Sequence, residues 1–80
     1  MKDDLKRAVK LALGGSWDEA HQLVQQYETD STASWIHAVL HKIEGDESNS
    51  RYWYRRAGKL EHFAAEPKTE LQQIDQQLAE

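Results

Sequence analysis

Eighty residues with no cysteine make one small domain, near the lower size at which burial alone sustains a core, and exclude disulfides, thiolate metal sites and thiol nucleophiles. Ten Lys and Arg against 14 Asp and Glu give a net charge of −4; the acidic excess lies in residues 61–80, and a local basic cluster at Arg51, Arg55, Arg56 and Lys59 is not the broad footprint of a nucleic-acid binder. No apolar run approaches the roughly 20 residues of a membrane span, and the alternating charges of residues 1–10 are not a signal peptide, so a soluble, cytoplasmic protein is expected.

The first helix is expected over about residues 3–13, where Leu5, Ala8, Val9 and Ala12 recur at i, i+3, i+4 and i+7. Asp3 and Asp4 suit its positive end, and Gly14-Gly15 stops it. Ser16 and Glu19 form a capping-box pattern that opens a second helix over about 17–28, with Trp17, Ala20, Leu23, Val24 and Tyr27 on one stripe. A turn at residues 29–32, rich in capping residues, precedes a third helix over about 33–44, with an apolar arc of Trp35, Ile36, Val39, Leu40 and Ile43. Gly45-Asp46 leads to a fourth helix over about 48–57 that buries Ser50, Trp53, Tyr54 and Ala57, and Gly58 closes it. Residues 59–66 receive no regular element, with Leu60 and Phe63 expected to pack inward. Pro67 opens a last helix over about 67–78 whose only apolar residues are Leu71, Ile74 and Leu78, as suits a helix that covers an exposed end.

The chain repeats itself. Gly15-Ser16-Trp17-Asp18-Glu19-Ala20 and Gly45-Asp46-Glu47-Ser48-Asn49-Ser50 hold matching places in two helical hairpins. The Gly45-Asp46 turn, followed by Ser50, Tyr54 and Ala57 at the places of small, aromatic and small residues, resembles the second half of a tetratricopeptide-type repeat. The stretch from Gly15 to Tyr27 matches through Ala20 and Val24, with Tyr27 where a small residue is usual, and the spacing is shorter than that family's. Trp53-Tyr54-Arg55-Arg56-Ala57-Gly58 also resembles the ending of short bacterial proteins of uncharacterised role. The resemblance covers about residues 5–58. It implies an all-α fold of two stacked hairpins (about 3–28 and 33–58) with a capping helix (about 67–78), and a scaffold that binds a protein or peptide.

His37, His41 and Glu44 stand at i, i+4 and i+7 on one helix face, and His21 lies at the edge of the second helix's stripe. Two imidazoles at i, i+4 with a carboxylate and a further imidazole suit a divalent metal such as zinc. The competing reading is of ordinary half-buried histidines bonded to their neighbours. The order of residues is not that of a His-Glu-x-x-His protease, and Gly14-Gly15 lacks the Lys-Ser/Thr of a phosphate loop, so no catalytic residue is assigned and an enzyme is not expected. Trp17, Trp35 and Trp53 are expected in the core. Tyr52 is expected beside the arginines as an interface anchor. A partner surface of His37, His41, Arg51, Tyr52 and Arg55 is the leading functional expectation. The alternatives are a metal or ligand site at His21, His37, His41 and Glu44, and a homodimer that pairs Leu71, Ile74 and Leu78 between copies.

Overall fold

Capping chemistry sets where each helix begins and ends. In a computed structural model describing residues 1–80, the chain forms α1 (Lys2–Leu13), α2 (Trp17–Gln25), α3 (Ser31–Glu44), α4 (Glu47–Ala57), a 3₁₀ turn (Leu60–His62) and α5 (Pro67–Ala79), with no strand. Gly15, Gly45 and Gly58 all have left-handed backbone, with φ of 85°, 87° and 70°. In each case the following amide bonds back five residues: Ser16 to the Leu11 carbonyl at 2.8 Å, Asp46 to His41 at 2.9 Å, Lys59 to Tyr54 at 2.9 Å. These are Schellman closures, and they are the structural content of the repeated glycines.

The expected Ser16 capping box is not formed, because the Ser16 side chain makes no capping bond. Asp46, from a similar backbone but with a longer side chain, does accept from the Asn49 amide at 3.4 Å. Asp30 accepts from the Ala33 amide at 2.9 Å and starts α3 two residues earlier than its apolar pattern suggests. Helix α2 stops at Gln25 rather than residue 28, since the amides of Gln26, Tyr27 and Asp30 turn to i−3 carbonyls. Asp30→Ala is expected to cost about 1 kcal/mol, lowering the melting temperature by about 4–8 °C; a circular-dichroism melt measures it, and an unchanged midpoint would mean that the cap bond contributes nothing to stability.

Helix α3 runs through the middle of the molecule. Every residue from Ala33 to His41 is buried, so the helix is enclosed by α1, α2, α4 and α5 rather than amphipathic. Ile43, expected in its apolar arc, is 45% exposed because it falls past the enclosed turns. Ser50 is small for a reason: its hydroxyl donates to the Ala38 carbonyl at 2.8 Å where α4 meets α3. Trp35 is the one fully buried tryptophan; Trp17 and Trp53 are half-buried beside α3.

Helix α5 packs on α1 and α3, and its stripe of Leu71, Ile74 and Leu78 is buried there. Those side chains are part of the single chain's own core, so the expected pairing of this stripe between two copies has no surface to use. The helix thereby closes one side of α1 and α3 that two stacked hairpins alone would leave open.

The same helix brings in a carboxylate. Glu70 is 1% exposed and accepts from Trp35 Nε1 at 2.7 Å, from the Tyr54 hydroxyl at 2.7–2.8 Å and from Lys42 Nζ at 2.7 Å. Lys42 also donates to the carbonyls of His62, Phe63 and Ala65 at 3.2, 3.1 and 2.8 Å, which fixes the link between α4 and α5. The inner side of that segment is filled by His62, tilted on Trp35, and by Phe63, edge-on to Tyr54. Leu60, expected to pack inward, is therefore 43% exposed.

Candidate metal centre

Helix periodicity puts His37 and His41 on the same face of α3, and packing brings His21 of α2 against them. Trp17 sets the register between the two helices: its indole N–H donates to the Leu40 carbonyl at 2.6 Å. One turn on, the His21 ring stacks on Trp17 with centroids 4.6 Å apart. His21 Nε2 then lies 3.0 Å from His37 Nε2, a hydrogen bond that requires one of the two rings to carry its proton at Nε2.

His37 is held on both faces. Trp53 of α4 stacks on one side at 4.0 Å and His41 on the other at 4.8 Å. His41 in turn presents Nδ1 to Glu44 Oε2 at 3.2 Å. One ligand atom from each of His21, His37 and His41 lies within 4.8 Å of the others.

Charge is disfavoured inside this cluster. Burial, and then the positive charge that His41 and His21 would carry, push the His37 imidazole down to about 3. Burial and His41 also lower His21, with Glu44 and Asp18 opposing the shift. His37, 4% exposed, is thus a neutral ring with a lone pair at neutral pH, the form that ligates metals. With Zn–N bonds of about 2.0–2.1 Å, tetrahedral geometry sets ligand nitrogens about 3.3–3.4 Å apart, so binding through both Nε2 atoms needs the His21–His37 pair to open by a few tenths of an ångström and the ring protonated at Nε2 to shift that proton to Nδ1.

Glu44, expected as a ligand, is placed to hold the His41 ring through Nδ1, the arrangement by which carboxylates orient metal-binding imidazoles. Asp46 lies within 4.8 Å of His41 and Glu44, but its carboxylate accepts from Asn49 Nδ2 at 2.7 Å while capping α4.

The residues expected to form a partner surface are not brought together. His37 and His41 are buried, while Tyr52 is 49% exposed on the outside of α4. Arg51 lies over Phe63 and faces Glu47 at 3.7 Å. Arg56 covers Trp53 and donates to the Glu28 carbonyl at 3.1 Å. Arg55 is exposed. The arginines diverge and do not form one anion patch.

Trp17 and Trp53 were expected only as core, and their role as walls of the histidine cluster goes beyond that. The Trp17–His21 spacing of i, i+4 is a signal present in the sequence, whereas Trp53 reaches His37 from another helix. The single surface concavity, lined by Arg7, Leu11, Glu19, Gln22, Leu23 and Gln26 between α1 and α2, includes none of the histidines. No helix is long and apolar enough to cross a membrane. No protein-family model matches the chain, and comparison with curated proteins and with solved structures finds no match either.

Proposed function

We propose that this protein binds one divalent transition-metal ion, zinc foremost, through His21, His37 and His41, with Glu44 orienting His41. The observation that carries this reading is the convergence of three imidazole ligand atoms within 4.8 Å, two of the rings with depressed basicity. Nitrogen donors in a compact group suit zinc's tetrahedral preference. Zinc would tie α2 to α3 at the point where Trp17 and His21 already join them.

Zinc is expected to raise the melting temperature, by the equivalent of about 2.7 kcal/mol when free metal stands 100-fold above Kd. The His21→Ala/His41→Ala variant is expected to lose that gain. In nitrogen NMR the rings of His21, His37 and His41 should shift together and saturate at one equivalent. Rings that ignore zinc, or a gain in stability that survives the double substitution, would sink the assignment.

A second reading, interaction with a protein partner as the repeat resemblance implies, is supported by Tyr52, which is exposed at 49% with Arg56 Nη1 3.4 Å from its hydroxyl. Exposed aromatics beside arginine are common anchors of interfaces.

A further inference from the structure

We infer that a metal ion held by His21, His37 and His41 keeps a fourth, exchangeable coordination position that takes water or a small monodentate anion. This rests on the metal-binding reading above and follows from what surrounds the three rings. Sites closed by four protein ligands are structural, whereas three protein ligands leave a position for an outside ligand. A fourth protein donor is not at hand here.

Trp17 and Trp53, the walls of the cluster, carry only an N–H and cannot ligate, and the Trp17 N–H is engaged by the Leu40 carbonyl. The Asp46 carboxylate is engaged by the Asn49 side chain and amide at 2.7 and 3.4 Å. Glu44 Oε2 lies 3.2 Å from His41 Nδ1, the nitrogen on the far side of the ring from a metal bound at Nε2. The chain has no cysteine.

Direction and charge point the same way. His37 is the inner ring, 4% exposed and backed by Trp53, while His21 on α2 is only half-buried. A fourth ligand would reach the ion from the half-buried His21 side rather than through Trp53. Three neutral imidazoles leave the ion its full double charge in a half-buried place, which favours an anion over a neutral donor.

Cobalt(II) and azide test this. Four-coordinate cobalt(II) absorbs strongly in the visible, and its bands report each change in the ligand set. The protein loaded with one equivalent of cobalt(II) is expected to show these bands, and azide is expected to shift them saturably. Glu44→Gln should keep the bands and the azide response while weakening cobalt affinity roughly 10–100-fold, as the loss of an orienting carboxylate does. Intense bands that azide leaves unmoved would overturn the open position and leave the three-histidine site standing. An azide response that appears only in Glu44→Gln would also overturn it, by making Glu44 the fourth ligand. Absence of the bands from wild-type protein, with His21→Ala no different, would remove the metal site itself and the inference with it.

Discussion

Replacing Glu70 with alanine is expected to destabilise the protein by about 3–5 kcal/mol, because an ammonium, an indole N–H and a phenol lose their buried acceptor at once. The donors come from α3 (Trp35 and Lys42) and α4 (Tyr54), and the acceptor from α5. Domains of this kind hold a margin of about 5–15 kcal/mol, so the variant should lose a large share of its stability. Glu70→Gln separates the effects: it preserves an acceptor for Trp35 and Tyr54 but leaves the Lys42 charge without its counterion. Lys42→Met removes that charge, so the double variant Lys42→Met/Glu70→Gln should lose less than the two single losses added together. Urea unfolding of wild type and these four variants measures this directly. A Glu70→Ala midpoint close to wild type, or strictly additive losses, would show that the network does not act as a unit. Tyr54 gives an independent check, since burial and the Glu70 carboxylate raise its phenol; in alkali it should ionise only as the protein unfolds.

Glu70 also shows where the sequence is opaque. It stands at i−4 and i−8 from Ile74 and Leu78, on the buried stripe of α5, but a carboxylate scores as polar and the stripe reads as thin. Only the arrival of Lys42, Trp35 and Tyr54 from two other helices makes a charge tolerable there. The helices themselves were legible because period and punctuation agree: the apolar spacing of α1 to α4 and the turns at Gly15, Gly45 and Gly58 point to the same boundaries. Errors fell where local chemistry overrides periodicity, as when Asp30 starts α3 early or Gln26 turns the end of α2. Of the candidate metal centre, His37 and His41 were readable as an i, i+4 pair. His21 was readable only as a stripe-edge residue, and the stacking of Trp53 on His37 depends on interhelical register, which no spacing within one helix encodes. The outer face of α4 misled for a related reason. Arg51 and Arg56 are close in sequence, yet each lies over a different aromatic ring.

Mild acid is expected to weaken the fold through His37. Folding holds this ring well below its ordinary value of 6.5, down to about 3. Between those two values the unfolded chain binds a proton that the folded chain does not, so stability is full above pH 6.5 and falls as pH drops. The slope approaches 1.4 kcal/mol per pH unit, or about 2 kcal/mol between pH 7 and pH 5. The shift of His21 has the same direction and adds to the same window, with Glu44 and Asp18 opposing part of it. Thermal melts at pH 7, 6 and 5 measure the total. His37→Phe isolates the share of His37, because phenylalanine preserves a ring against Trp53 and has no proton to take; its profile should be flatter by about that amount. A wild-type midpoint unchanged from pH 7 to pH 5 would mean that His37 accepts its proton without unfolding, which requires the stack between Trp53 and His41 to open. The same stack confines the lone pair that a metal would use, so the acid profile of the metal-free protein tests how firmly the ligand set is held before any ion is added.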